Sequence, residues 1–342
     1  MKKVTHISQR KSDHIRINLR EDVQSALTTG LENYRFEHQA LPECNLEEVD
    51  TQTVFLNKPL AAPILISSMT GGSAEAAQIN LTLAEAAEQT QIAMGLGSQR
   101  AAIEHPEYEY TFQVRKVAPN ILLFANLGAI QLNYRYGIDE CKKAVDMIEA
   151  DALILHLNPL QEALQPEGDT RFENLIDKIA LVCRSLPVPV VVKEVGWGIS
   201  QRVARLLIEA GVAVIDVAGA GGTSWSQVEM YRAQSESAAR IASHFIDWGI
   251  PTSECILNVR AVHPTIPLIA SGGLRNGIDI AKCLALGANL GAMASPFLKA
   301  AARSLNDTIE TIHEIQREIQ ITMFAAGVKT IAELQNLTLK EI

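Results

Sequence analysis

Lys193 ends the apolar run VPVVVK (188–193), which sets a single ammonium at the tip of an otherwise hydrophobic strand. A charge so placed needs an anionic partner or a shifted pKa. The adjacent Glu194 is a poor partner, because successive strand residues face opposite sides. A reduced flavin ring, a phosphate or a Schiff-base substrate would each suit such a lysine. His156 stands at the end of another run, ALILHL (152–157), and Asn158, Gln161 and Glu162 follow it around a proline turn. A lone strand-end histidine is commonly a packing residue, but three polar neighbours make this one a candidate for chemistry. Glu162 is one carboxylate. That is too few for a protein-only metal cage, yet enough for Mg2+, which completes its shell with water and phosphate oxygens.

Glycine and small polar residues recur in the same register. SSMTGG (67–72), GSQR (97–100), Asn126, AGGTSW (220–225), SGGLR (271–275) and ASP (294–296) each directly follow an apolar run. In SGGLRNG, Gly272 and Gly273 allow the backbone to approach an anion, and the amides of a helix start would face it. Two tight turns that bind nothing are the alternative for either segment alone. Near the start, RKSDHIRI offers Arg10, Lys11 and His14. A basic stretch there is ordinarily a solvated surface; folded over a site, it would supply diphosphate ligands from the same subunit or a neighbour.

The elements that must position these groups are eight short β-rich runs: 64–68, 92–96, 121–126, 152–157, 188–193, 213–218, 267–271 and 289–294. They are continuously apolar, as a parallel sheet covered on both sides requires, and helix-like segments such as 74–90 and 199–212 separate them. Eight such units predict a (β/α)8 barrel, with an open doubly wound sheet as the competitor. In a barrel the strand ends converge on one mouth, and phosphate is usually held after the seventh and eighth strands. The expected layout is an N-terminal arm (1–60) that packs on the barrel or covers its mouth, with no clear strand series. A barrel (61–300) with a helical insertion around 226–266 follows, then a helical tail (301–342).

Composition narrows the classes. The chain has 342 residues, 47% hydrophobic and 20% charged, which suits a large core and not a disordered chain. A formal net charge of -9 argues against nucleic acid. The five cysteines form no CxxC pair, so neither a disulfide framework nor a zinc site is indicated, which fits a reducing cytoplasm. No segment reads as a signal peptide or a membrane span.

With RKSDH, SSMTGG, GLGSQR, HLNPLQE, VVVKEVGWG, GAGGTSW, SGGLRNGIDIAKCLALGA and AMASP in order, the chain closely resembles the type 2 isopentenyl-diphosphate isomerases, FMN-dependent barrel enzymes. The resemblance runs from about residue 8 to beyond 300. It implies flavin contacts at Ser67, Ser68, Met69, Thr70, Ser98, Asn126, Lys193, Thr223, Gly273, Leu274, Arg275, Ala294 and Ser295. It implies substrate contacts at Arg10, Lys11, Ser98, Gln99, Arg100, His156, Asn158 and Gln161, with Glu162 as the Mg2+ carboxylate. Gln161, Lys193 and His156 become the catalytic candidates. The implied reaction moves a double bond between isopentenyl and dimethylallyl diphosphate, with reduced FMN as acid and base. It also implies NADPH as reductant and a homo-oligomer, tetramer or octamer. The nearest rivals are 2-hydroxy-acid oxidases, which need a late-strand histidine base, and IMP dehydrogenase relatives, which need a loop cysteine. Neither residue is found at those places in this sequence. A non-catalytic flavin- or phosphate-binding protein is the rival of another class.

Overall fold

A computed structural model describes residues 6–342, with the side chains of residues 6–10 and 12 outside the described part. Eight parallel strands form a closed barrel: β1 Ile64–Ile66, β2 Ala93–Gly95, β3 Leu123–Gly128, β4 Ala152–His156, β5 Val190–Lys193, β6 Val214–Asp216, β7 Leu268–Ser271 and β8 Leu290–Met293. Gly291 on β8 pairs with Ile64 on β1, which closes the ring and excludes the open sheet. Each expected run overlaps one strand. The largest offset is at β3, where Ile121 and Leu122 are buried ahead of the strand without belonging to it.

Alternation along the strands explains why the runs are continuously apolar. Leu65, Phe124, Ile154, Val191, Val214, Ile269 and Leu290 point inward and form one interior cluster. Their neighbours Ile64, Leu123, Leu153, Val190, Ile215 and Leu268 point outward into the larger cluster shared with the helices. Two residues beyond an interior position the side chain faces inward again. Asn126 on β3, His156 on β4, Lys193 on β5, Asp216 on β6 and Ser271 on β7 therefore make the interior layer nearest the mouth.

The other end of the barrel is plugged. Thr53–Phe55 and Lys58–Leu60 form an antiparallel hairpin whose Phe55 and Leu60 belong to the interior cluster. Leu56 and Asn57 turn the hairpin with φ of 46° and 63°, as a two-residue turn of the I′ kind requires. The segment before β1 thus has strands where the sequence showed no strand series. Each is only three residues long, and the turn is not Asn-Gly.

Helices cover the barrel. α1 (His6–Arg20) precedes it, and α2 (Ala74–Thr90) follows β1, capped by Ser73 Oγ, which accepts from Ala76 N at 3.2 Å. α3 (Arg100–Glu104) and α4 (Ile138–Ile148) come next, then α5 (Pro159–Leu164) and α6 (Leu175–Ser185) after β4, and α7 (Gln201–Glu209) after β5. Between β6 and β7 lie α8 (Trp225–Arg232), α9 (Glu236–Ser243) and α10 (Thr252–Val262). α11 (Gly277–Ala285), α12 (Ser295–Ala301), α13 (Leu305–Ala325) and α14 (Ile331–Gln335) follow, and Lys340–Glu341 then pairs antiparallel with Tyr34–Arg35. Ile17 and Val23 pack with Val228 and Trp225, which seats α1 on α8 at the mouth. Ser224 N donates to Val23 O at 2.7 Å and Ser25 N to Gly222 O at 2.8 Å, fixing the same contact. Among the described residues no helix is long and apolar enough to cross a membrane.

Candidate active site

The strand ends enclose two adjoining chambers. The larger, of about 530 Å3, is bounded by the loops after β1, β6, β7 and β8 and lies within the ~300–1,000 Å3 usual for cofactor sites. Ser67, Ser68, Met69 and Thr70 line it after β1, and Thr223 after β6. Gly273, Leu274 and Arg275 line it after β7, and Ala294 and Ser295 after β8. The smaller chamber, of about 130 Å3, is lined by Ser98, Arg100, Asn126, His156, Asn158, Gln161 and Glu162. Lys193, Ser68 and Met69 line both, as do Lys11 and His14 of α1 and Trp225 of α8. Lys193 therefore stands between the chambers.

The larger chamber has the features of a flavin phosphate and ring site. Gly272 and Gly273 have φ of 100° and 78°, and a Cβ on Gly272 would lie 2.0 Å from Gly219 O. A Cβ on Gly222 would lie 2.6 Å from Gly273 N, so four glycines interlock to form a wall of bare backbone. Ser68 Oγ and Thr70 Oγ1 are buried with no partner, two polar groups aimed at a ligand able to hydrogen-bond. Arg275 is steadied by Gln24 Oε1, which accepts from its Nη2 at 3.2 Å. FMN fits this arrangement by its phosphate, its polar ring edge and its volume.

Lys193 and Glu194 separate as alternation requires. The Lys193 ammonium donates to the backbone oxygen of Glu194 at 2.7 Å, while the Glu194 carboxylate turns away and accepts from Val195 N, Gly196 N and Trp197 N at 2.7, 2.7 and 2.6 Å. Burial pushes the Glu194 carboxyl up to about 7 despite those three amides and the nearby Lys193. Asp216, 1% exposed, accepts from Ser271 Oγ at 2.5 Å, and its Oδ2 has no partner. Burial raises its pKa against the lowering influence of Lys193 and Ser271.

In the smaller chamber His156 Nδ1 lies 2.8 Å from Asn126 Oδ1, which orients the imidazole. Asn158 Nδ2 donates to Gln161 Oε1 at 3.1 Å and to Glu162 Oε1 at 2.8 Å, while Asn158 Oδ1 is buried without a partner. Among the described residues no three His, Cys, Asp or Glu side chains gather into a metal cage. Glu162 nevertheless offers one hard carboxylate, which fits a Mg2+ ion that completes its shell with water and phosphate.

Gln99 departs from expectation. It is fully buried, its Nε2 donates to Ala144 O at 2.8 Å, and its Oε1 accepts from Asn126 N at 3.0 Å. It braces β3 behind the mouth instead of facing a ligand. Ser98 and Asn126 line the smaller chamber only. The side chain of Arg10 lies outside the described residues, whereas Lys11 reaches both chambers.

Three groups were missed or undervalued in the sequence. Glu229, 3% exposed, accepts from Gln161 Nε2 at 3.2 Å, lies 3.3 Å from His14 Nε2 and pairs with Arg232 at 2.5 Å. Burial raises its pKa, but His14, Arg232 and Gln161 together hold the carboxyl below the usual range. His14 sits edge-on to Trp225 with centroids 5.0 Å apart, and burial lowers it to about 4 in spite of Glu229. The signal for Glu229 was its spacing: four residues after Trp225 on one helix, it shares a face with it. Asp169 is the third, and it bonds both Arg100 and the Glu162 side of the chamber.

A closed barrel with a glycine-walled phosphate pocket beside a strand-end lysine defines a flavin-dependent barrel enzyme. The family profile described as FMN-dependent dehydrogenase matches residues 155–341. The solved structure of mandelate oxidase with (S)-mandelic acid superposes with a TM-score of 0.67, covering 98% of this chain and 97% of that one at 18% identity. A lactate oxidase from Pediococcus acidilactici gives a TM-score of 0.67 over 96% of this chain and 86% of its own, also at 18% identity. At that identity the likeness is one of fold. Two curated relatives are far nearer. Isopentenyl-diphosphate delta-isomerase of Nostoc sp. is 55% identical over 328 residues, 96% of this chain and 94% of the relative. That of Rickettsia bellii is 52% identical over 332 residues, 97% of each. The chain belongs to the isopentenyl-diphosphate delta-isomerase family, in its FMN-dependent type 2 form.

Proposed function

We propose that this protein interconverts isopentenyl diphosphate and dimethylallyl diphosphate, with FMN in the larger chamber and the Mg2+ diphosphate in the smaller. The observation that carries the reading is the shared wall. Lys193, Ser68 and Met69 border a chamber suited to a flavin and, on the other side, a chamber holding Arg100, His156 and Glu162. When bound, reduced FMN supplies a proton donor and acceptor for an unactivated alkene, which side-chain acids tuned near neutrality serve poorly.

The chain's own groups do the rest. The Lys193 ammonium neutralises negative charge on the ring edge. Ser67, Ser68, Met69, Thr70 and Thr223 contact the flavin, and the backbone around Gly273, Leu274, Arg275, Ala294 and Ser295 receives its phosphate. Ser98 and Asn126 reach the flavin from the smaller chamber. Arg100, Lys11 and His156 bind the diphosphate, joined by Arg10. Glu162 holds Mg2+ against it, and Asn158 contacts the substrate beside it. Gln161, fixed between Asn158 and Glu229, orients the allylic part of the substrate. α1 and Trp225 cover the mouth and limit the entry of water. The division into arm (1–60), barrel (61–300) and tail (301–342), NADPH as reductant, a tetramer or octamer and a cytoplasmic location belong to the same reading.

The redox alternative requires a histidine base or a loop cysteine near the late strand ends. The imidazoles lining the chambers are His14 and His156, on α1 and β4, and no cysteine lines either chamber among the described residues. Anaerobic turnover by prereduced enzyme, with product counted against nicotinamide oxidised, tests the reading. Many products per reduction are expected. A strict one-to-one ratio would overturn it.

A further inference from the structure

Asp169 stands in the short loop that follows α5. Its Oδ2 accepts from Arg100 Nη1 at 3.0 Å and from Gln131 Nε2 at 2.9 Å. Its backbone N–H donates to Glu162 Oε2 at 2.7 Å. The loop is drawn tightly onto α5: Gly168 N donates to Gln165 O at 3.2 Å, and a Cβ on Gly168 would lie 1.7 Å from Glu162 O. One residue therefore grips the cation of the smaller chamber with its side chain and the carboxylate of that chamber with its amide.

Arg100 has a second carboxylate partner, Glu104, at 2.9 Å through Nε. Glu104 is one turn further along α3 and fixes only the inner part of the guanidinium. Asp169 comes from the loop after α5 and fixes the tip. A guanidinium held at two points in its plane presents its remaining N–H groups in one direction, which matters for a planar fork that must meet phosphate oxygens. Left with Glu104 alone, the side chain would rotate about its last bonds and lose that direction.

We propose that Asp169 is a positioning residue that sets Arg100 in register with Glu162, so that the cation and the metal carboxylate meet the two phosphates of one diphosphate at a fixed separation. The inference rests on the diphosphate reading of the smaller chamber. It adds that the spacing between the two phosphate-binding groups is held by one loop residue and not by the strands.

The test is calorimetric titration of inorganic pyrophosphate with Mg2+ into FMN-loaded protein, alongside steady-state kinetics, for wild type, Asp169→Asn, Asp169→Glu, Arg100→Ala and Asp169→Asn/Arg100→Ala. Asp169→Asn should weaken pyrophosphate binding and raise KM about tenfold while kcat stays within about twofold and FMN content is unchanged. Asp169→Glu should recover part of the loss, and the double variant should bind no worse than Arg100→Ala. Wild-type affinity in Asp169→Asn, or losses that add in the double variant, would overturn the proposal. So would equal losses in Asn and Glu variants accompanied by loss of FMN, the mark of a merely structural loop. If wild type itself fails to bind pyrophosphate, the diphosphate reading falls, and this inference with it.

Discussion

Lys193 and Asp216 are register partners at the ends of β5 and β6, both directed into the barrel and both buried. The lysine lines the two chambers, and the aspartate lies in the same interior layer. An ammonium held there favours the anionic reduced ring over the neutral oxidised one. Lys193→Ala should therefore weaken reduced FMN about tenfold or more beyond any effect on oxidised FMN, with a lower midpoint potential. Titrations in both redox states measure it. Equal losses would leave Lys193 as a packing or phosphate contact.

Glu162→Gln keeps the shape of the side chain, and its amide oxygen can still accept from Asn158 or from the Asp169 amide. Removing the charge takes away what a hard cation prefers. Activity should fall, the Mg2+ concentration for half-maximal activity should rise by about tenfold or more, and FMN content should stay normal. Unchanged Mg2+ dependence would place the metal ligand elsewhere.

Gly272→Ala combines a positive φ of 100° with a Cβ placed 2.0 Å from Gly219 O. The strain alone is worth ~1–3 kcal/mol, and the backbone must also move away from the phosphate wall. The variant should purify without FMN and melt earlier. Gly137→Ala is the control: its φ is -138° and its nearest new neighbour is Glu140 Oε2 at 3.8 Å. It should keep FMN and lose less than about 1 kcal/mol.

Glu194 makes stability depend on pH in a direction opposite to most carboxylates. Its pKa is raised by burial from 4.5 to about 7 in the folded protein. Its contribution is therefore fully present below pH 4.5 and is lost as pH rises through about 7, by up to roughly 3 kcal/mol. Glu194→Gln removes the ionisation but keeps an acceptor for the three loop amides. The melting temperature of the variant minus that of wild type should grow as pH goes from about 5 to about 8. A pH-independent difference would show that the amides keep the carboxylate ionised throughout.

The barrel was legible because burial on both faces leaves a mark in composition: interior Val191 and outward Val190 and Val192 are all apolar, so the run stands out. That mark reports burial and not hydrogen bonding, which is why β3 begins two residues later than its apolar run. Lys193 and His156 were visible because a strand end gives a residue a fixed direction. The side chain of Gln99 was not so placed: in GSQR, Ser98 and Arg100 face the chamber and the residue between them faces Ala144. Glu229 and Asp169 sit on a helix and a loop whose position depends on packing far along the chain. Their roles exist only once α8 meets α1 and the loop after α5 meets α3.

The hairpin at the closed end of the barrel bears on the order of assembly. Phe55 and Leu60 share their cluster with Leu65 of β1 and with Leu290 and Ala292 of β8, so their seat is complete only when the last strand has joined the first. A segment made early in synthesis must wait for one made late, and such distant pairings are slow to form. During that wait two large apolar side chains have no interior to enter. Ring closure thus completes the seat that the plug fills.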